Sequence, residues 1–346
     1  MFKKNRQTNL QTDENAIIVD DLIKNFEITE KKQGLVGSIS SLFFPKKTQI
    51  RALKGVSFKI NPGELVGFIG PNGAGKTTTL KVLSGLLYPT AGFIQVLGYD
   101  PWKRHPDFLK QISLVMGQKN QLWWDLPAIE TFELNRAIYE ISTAIYNETL
   151  RELTELLDVG KYLNTPVRKL SLGQRMRLEL IAALLHKPKV LFLDEPTLGL
   201  DVTAQKKVKD FIYDYNKKFK ATIILTSHNM NDLLDLAKRI IVIDRGGVIF
   251  DGDIQTLIND FAREKTIRVY FSKEIDVKKL EEIGHVKRFD FPSASLSVSR
   301  EESTTAATTL LQNFPISDLT IEEEGIEEII RRLFKEGIRR KSKLGQ

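Results

Sequence analysis

The segment Gly70-Pro71-Asn72-Gly73-Ala74-Gly75-Lys76-Thr77-Thr78 follows a short apolar run, Leu65–Ile69, and opens a stretch with helical periodicity, Lys76–Leu87. G-x-x-x-x-G-K-[ST] between a strand and a helix is the spacing of a phosphate-binding loop. Glycines let consecutive backbone N–H groups curl around phosphate oxygens with no Cβ in the way. The helix beginning near Lys76 adds roughly half a positive charge at its N-terminus. Lys76 places a full charge on the β- and γ-phosphates of a bound nucleotide, and the Thr77 hydroxyl can ligate Mg²⁺. The alternative, a glycine-rich turn with a chance lysine, does not explain why strand and helix stand on the correct sides.

A buried parallel sheet is what such a loop needs, and the rest of the chain supplies one. Val190–Asp194, Thr222–Thr226 and Ile240–Asp244 read as strands, and Ala204–Lys220 as an amphipathic crossover helix. Strands alternating with helices imply a largely parallel sheet covered on both faces. Ile17–Asp20 and Val56–Ile60 read as further strands, and Ala128–His186 as mainly helical. In that helical part, Leu150, Leu153, Leu156 and Leu157 form one apolar stripe, and Leu178, Ile181, Leu184 and Leu185 another. Ile240–Asp244 and Val248–Asp251, split by glycines, read as a hairpin. Gln33–Gln49 carries apolar residues at three- and four-residue spacing, as on an amphipathic helix, followed by Pro45-Lys46-Lys47.

The pattern changes near Phe261. Strands are expected at Thr266–Phe271, Ser295–Ser299 and Leu319–Glu323, with helices at Val277–Ile283, Glu301–Gln312 and Ile326–Lys335. A small α+β domain over 262–336 follows, with a basic tail over 337–346. The chain has 346 residues, enough for two domains. It has no cysteine, which excludes disulfides and thiol catalysis. No run reaches the ~18–20 apolar residues that cross a bilayer, and Met1–Asn15 is polar, unlike a secretory leader. Work at a membrane would need a spanning partner. The net charge of +7 suits a nucleotide, nucleic acid or lipid surface without choosing among them.

The strand Val190–Asp194 ends in two adjacent carboxylates, Asp194 and Glu195. Alternation along an extended chain sends them in different directions. Asp194 can hold Mg²⁺ through water, while Glu195 can polarise a water that attacks the γ-phosphate. An apolar run followed by Asp-Glu is a weak sign alone, and gains its force from the loop upstream. Between the two, Leu170-Ser171-Leu172-Gly173-Gln174 opens a long helix, with Ser171 as an N-cap.

This order of phosphate loop, Ser-x-Gly-Gln and Asp-Glu resembles the nucleotide-binding domain of ATP-binding cassette (ABC) transporters. The family's signature loop is Leu-Ser-Gly-Gly-Gln. Leu172 replaces the first glycine, while Ser171 and Gly173, the positions that reach a γ-phosphate, are kept. The resemblance implies an α/β P-loop NTPase fold over 15–255: a RecA-like core, an antiparallel β subdomain and a helical subdomain at about 119–186. An insertion falls at about 30–49.

It implies further roles by position. Gln118 matches the Q-loop, which links Mg²⁺ or attacking water to the membrane partner, with Gln121 a weaker candidate. Asp201, in Leu198-Gly199-Leu200-Asp201, matches the D-loop that touches the opposite subunit. His228 matches the switch histidine that contacts the γ-phosphate. Phe26 fits the aromatic that stacks on adenine, or is a plain core residue. ATP and Mg²⁺ are the implied ligands.

In this family the site is split between two chains, with Ser171, Gly173 and Asp201 serving the partner's nucleotide, and Gln174 is counted among the nucleotide-binding residues. The resemblance implies a homodimer or heterodimer beneath a separate permease at the cytoplasmic face of the plasma (inner) membrane. Nucleic acid is not expected as a partner. The insertion and the stretch Gln121-Leu122-Trp123-Trp124-Asp125-Leu126-Pro127 resemble exporters of the polysaccharide, drug and lipid group. Leu42–Phe44 and Lys46–Lys47 are then expected near the permease or lipid headgroups. Trp123 and Trp124 are read either as core packing or as partner contacts. A soluble ATPase acting on ribosomes or nucleic acid is the alternative class, although neither a second cassette nor a long coiled coil is present. The 262–336 domain is expected to stabilise the dimer or space it from the permease.

Overall fold

The computed structural model describes residues 15–30, 46–117, 119–227 and 230–343. Gln118, His228 and residues 33–45 of the expected amphipathic insertion lie outside the described residues. The chain divides into two compact units between Asp251 and Gly252.

The first unit is built on two sheets. The six-stranded sheet has the order β5-β6-β7-β3-β8-β9. Its strands are β3 (Leu65–Ile69), β5 (Ile112–Met116), β6 (Val190–Asp194), β7 (Thr222–Thr226), β8 (Arg239–Asp244) and β9 (Gly247–Asp253). The β5–β6, β6–β7, β7–β3 and β3–β8 pairs are all parallel. Every residue of β3, β6 and β7 is buried, which is why these runs are continuously apolar instead of alternating. β8 and β9 are joined through Arg245 (φ 47°) and Gly246 (φ 81°). Two successive left-handed residues are what a two-residue hairpin turn requires.

The second sheet is a three-stranded layer in the order β2-β1-β4. Here β1 is Ile17–Glu30, β2 is Lys46–Ile60 and β4 is Ala91–Val96. Both pairings are antiparallel. β1 and β2 run far beyond the four or five apolar residues that mark them in the sequence. Glu30 pairs with Lys46 and Glu27 with Gln49, so both ends of the expected 30–49 insertion belong to this ribbon. The two sheets share one apolar core that includes Ile17, Leu22, Phe58, Phe68, Leu80 and Phe192.

Helix α1 (Lys76–Leu83) follows the glycine-rich loop and stops four residues short of the expected Leu87. Gly85, at φ 73°, turns the chain there, and a Cβ on it would lie 2.3 Å from Pro101 O. A one-turn helix, α2 (Pro106–Leu109), precedes β5. The helical part holds α3 (Ala128–Ile138), α4 (Thr143–Leu157) and α5 (Leu172–Leu184). On α4, Leu153 and Leu157 are buried, whereas Leu156 is 44% exposed. All residues from Met176 to Leu184 on α5 are buried, so this helix is sequestered on every side. The long helix α6 (Val202–Phe219) and the short α7 (Met230–Leu234) flank β7.

The second unit has its own core around Ile267, Val269, Leu296, Val298, Ala306 and Leu310. It begins with α8 (Ile254–Phe261) and continues β10 (Glu264–Phe271), α9 (Lys278–Glu281), β11 (His285–Asp290), β12 (Ser293–Ser299), α10 (Ser303–Asn313) and β13 (Ile316–Glu323). Its sheet is antiparallel in the order β11-β12-β10-β13. That β-α-β-β-α-β connectivity, with each crossover skipping one strand, is a ferredoxin-like arrangement. A last helix, α11 (Ile326–Lys343), runs past the expected end at Lys335 and carries the start of the basic tail.

Candidate functional site

Parallel pairing brings the C-terminal ends of β6, β7 and β3 side by side, and open α/β sheets place ligands at those ends. The loop after β3 is shaped by close approaches. A Cβ on Gly70 would meet Ile243 O at 2.3 Å, and one on Gly75 (φ 111°) would meet Leu53 Cδ2 at 2.6 Å. Gly75 is the N-cap of α1, and no side chain caps the helix. The first amides of α1 are therefore available to an anion. Lys76 is 6% exposed, and its Nζ donates to Gly70 O at 2.6 Å and Pro71 O at 3.3 Å. Burial lowers its pKa, and the Glu195 and Asp194 carboxylates partly oppose that. A cavity of about 330 Å³ opens over this loop, lined by residues 71–73 and 75–78 with Ala52 and Glu195.

The end of β6 completes the floor. Thr77 Oγ1 donates to Asp194 Oδ2 at 2.7 Å, and Thr226 Oγ1 donates to Asp194 Oδ1 at 2.8 Å. Glu195 turns away from Asp194 by adopting φ 57°, a left-handed conformation that costs a non-glycine residue and collects at functional sites. Its N–H is held by Thr226, at 3.0 Å to Oγ1 and 3.2 Å to O. Thr226 thus fixes both carboxylate residues, and sequence reading missed it. It also missed Gly117. Gly117 N donates to Asp194 O at 2.8 Å, and a Cβ there would lie 2.2 Å from Glu195 O. Only a glycine lets the chain leading to Gln118 pass so close to Glu195.

Ser171 caps α5 by accepting from Gln174 N at 3.3 Å, and Gln174 Oε1 accepts from Ser171 N at 2.9 Å. This reciprocal pair is a capping box. Gly173 is buried, and a Cβ on it would come within 2.8 Å of Ala204 Cβ on α6. Asp201 caps α6, its Oδ1 accepting from Ala204 N at 2.9 Å. The two loops therefore pack on each other, with the exposed Leu172 side chain against Gly199. None of Ser171, Gly173, Gln174 and Asp201 lines the loop cavity.

Phe26 lies on β1 opposite Ile50, half-buried, with Lys24 Nζ 5.0 Å from its ring centroid. It is not among the buried core residues. Trp123 and Trp124 are 52% and 49% exposed, which removes the core-packing reading for both. Gln121 Nε2 donates to Leu114 O at 2.7 Å, so that side chain is committed to β5. His186, just past the end of α5, stacks on Tyr139 at 3.9 Å and shares a hydrogen bond with Ile112 O at 3.0 Å.

Residues 53–198 match the family described as ABC transporter, and residues 263–322 match the C-terminal domain of EvrA-like ABC transporters. The chain is 32% identical over 234 residues to the ABC transporter ATP-binding protein NatA of Bacillus subtilis (strain 168), covering 68% of this chain and 95% of that protein. The chain belongs to the ABC transporter ATP-binding proteins. This ABC subunit is also 28% identical to the bacitracin transport ATP-binding protein BcrA of Bacillus licheniformis, over 82% of this chain and 81% of that one. It is 30% identical to the cholesterol transporter ABCA5 of Rattus norvegicus over 83% of its own length, but spans only 17% of that relative. Among solved structures it resembles an ATP-binding subunit of an ABC transporter, with a TM-score of 0.58 and 24% identity over 71% of this chain and 93% of that one. It also resembles a dimeric ATP-binding cassette in a post-hydrolysis state bound to ADP and Pi, with a TM-score of 0.57 and 25% identity over 69% and 98%. The subunit binds and hydrolyses ATP to power a membrane transporter, and the fold is that of the ABC nucleotide-binding domain. Among the described residues, no helix is long and apolar enough to cross a membrane.

Proposed function

We propose that the subunit binds ATP with Mg²⁺ in a half-site and completes that site by pairing with a second like chain, the same or similar. The pair works beneath a separate permease at the cytoplasmic face of the inner membrane, as an exporter. The observation that carries this reading is the separation of the two halves. The cavity over α1 holds Lys76, Thr77 and Glu195, yet no residue of the Ser171 loop lines it. A triphosphate seated there would meet Ser171 and Gly173 only if another subunit brought them.

The donor set fits Mg²⁺. Thr77 Oγ1 and Asp194 Oδ2 stand 2.7 Å apart, both hard oxygen ligands. No group of three His, Cys, Asp or Glu side chains that could cage a metal exists among the described residues. Such a site suits an ion that takes its other ligands from phosphates and water. When bound, Mg²⁺ neutralises charge on the β- and γ-phosphates.

The chain's own residues supply the rest. Lys76 exchanges its bonds to Gly70 O and Pro71 O for phosphate oxygens. Glu195, aimed by its left-handed backbone and by Thr226, accepts a hydrogen bond from the attacking water. The water oxygen bonds to the γ-phosphorus as the bond to the β-phosphate oxygen breaks, leaving ADP and phosphate. Gln118 and His228 are assigned to the water and the γ-phosphate, and Phe26 to the adenine face. Phe26 suits that role because it sits half-buried on the strand beside Ala52, which lines the cavity. Closure by ATP and opening after hydrolysis then drive the permease.

The exposed Trp123 and Trp124 are proposed as permease contacts, and the ferredoxin-like unit as a dimer stabiliser or spacer. The reading as a soluble ATPase on ribosomes or nucleic acid has no support among these relatives. Glu195→Gln tests the proposal. It should bind ATP, form an ATP-dependent dimer by light scattering, and turn over roughly 10²–10⁴ slower. Unchanged turnover, or a monomer at saturating ATP, would refute it.

A further inference from the structure

The segment Gln121–Trp124 is gripped by one face of α5. The Glu179 carboxylate is only 3% exposed. Its two oxygens accept from Gln121 N at 3.0 and 2.9 Å, and one also accepts from Leu122 N at 3.2 Å. One turn earlier on the same helix face, the Arg175 guanidinium lies 5.8 Å from the Trp124 ring centroid. Trp124 O accepts from Arg168 N at 2.9 Å, just before α5 begins.

A carboxylate inside an apolar helix is costly unless donors compensate it. Leu178, Leu180 and Ile181 around it are fully buried, so packing alone would favour another apolar residue at 179. Burial pushes the Glu179 carboxyl up, and the amides of Gln121 and Leu122 pull it back. Those amides belong to a short piece of chain whose other end is pinned at Gly117, against Asp194 O and Glu195 O. The helix that holds the near end starts at Ser171.

We propose that Glu179, assisted by Arg175, is a positioning residue that makes the segment after Gly117 and helix α5 move as one body. Displacement at the Asp194–Glu195 half-site is thereby carried to Ser171, which serves the partner's half-site. The proposal rests on the split-site reading above. It gives a mechanical role to a buried charge that packing does not explain. A bracket on main-chain amides holds position whatever side chains the segment carries.

The test uses the full-length protein, with ATP as ligand. Trp123 and Trp124 are two of its three tryptophans, so emission reports on the segment directly. Glu179→Ala should keep the ATP Kd within about twofold and lower kcat about tenfold, the scale of lost charged hydrogen bonds. It should also abolish the ATP-induced emission change. Glu179→Gln, an acceptor of the same shape, should recover part of both. Glu179→Ala and Ser171→Ala should combine less than additively on log kcat, because both act through one contact. Arg175→Ala provides the same readouts if Glu179→Ala does not fold. A lowered Tm with kcat and the emission change intact, or full additivity with Ser171→Ala, overturns the proposal. A Glu195→Gln protein that stays monomeric with ATP instead removes the split site on which it rests.

Discussion

Gly117→Ala is the sharpest perturbation the structure offers. A methyl group there would sit 2.2 Å from Glu195 O, where 3.4 Å or more is ordinary contact. Neither atom belongs to a flexible side chain, so the backbone must give by about 1 Å. It can do so by breaking the 2.8 Å bond from Gly117 N to Asp194 O or by shifting Glu195 itself. A misplacement of that size costs on the order of a hundredfold in rate, or about 2.7 kcal/mol in activation free energy. Overpacking at a tight site costs stability by about 1–3 kcal/mol, which for a unit of this length lowers Tm by about 2–4 °C per kcal/mol. The phosphate loop is untouched, because Gly117 does not line its cavity. ATP affinity should therefore hold within about twofold while kcat falls, measured by nucleotide titration and phosphate release. A kcat within twofold of wild type would refute the claim that this contact sets Glu195.

Thr226→Val removes the hydroxyl that donates to Asp194 and accepts from Glu195 N. It should cost about 1–3 kcal/mol of stability and depress kcat more than ATP binding, and equal losses in both would count against it. Lys76→Ala should weaken ATP binding itself, and wild-type affinity in a titration would remove the loop from the site. Because burial holds the Lys76 pKa below its ordinary 10.5, the free protein loses this charge early as pH rises. ATP affinity should fall once pH passes that lowered value, while folding stability from this group rises between it and the ordinary 10.5; an affinity still flat at pH 10.5 would contradict it. Leu296→Ala, in the core of the second unit, should cost about 2–5 kcal/mol there and leave the ATPase of the first unit active, and loss of both together would show that the units fold as one.

The phosphate loop, the carboxylate pair and the central strands were legible because each is local: a glycine spacing, an apolar run, a helix cap. What escaped reading depends on contacts across the chain. Residues beyond Asp20 on β1 and before Val56 on β2 are mixed in polarity; only Leu22 and Leu53 there enter the core, and antiparallel pairing across the chain carries the strands onward. β11 was missed because it is an edge strand whose apolar Val286 and Phe289 are separated by two charged residues and a register shift. Thr226 and Gly117 carry no local signal of their roles. Glu179 did carry one, a lone carboxylate among Leu178, Leu180 and Ile181, legible once burial is known.

Ser171 caps α5 with a lone pair of its oxygen, which leaves its single hydrogen to be donated outward. Asparagine or aspartate would stabilise the start of that helix as well as serine does. Aspartate would meet an incoming phosphate with a like charge instead of a donor. Folding alone is therefore indifferent among these residues, and under the proposed split site it is the partner's nucleotide that tells them apart. A Ser171→Asp chain should melt like the parent yet never close on ATP, a way to arrest the cycle without loosening the protein.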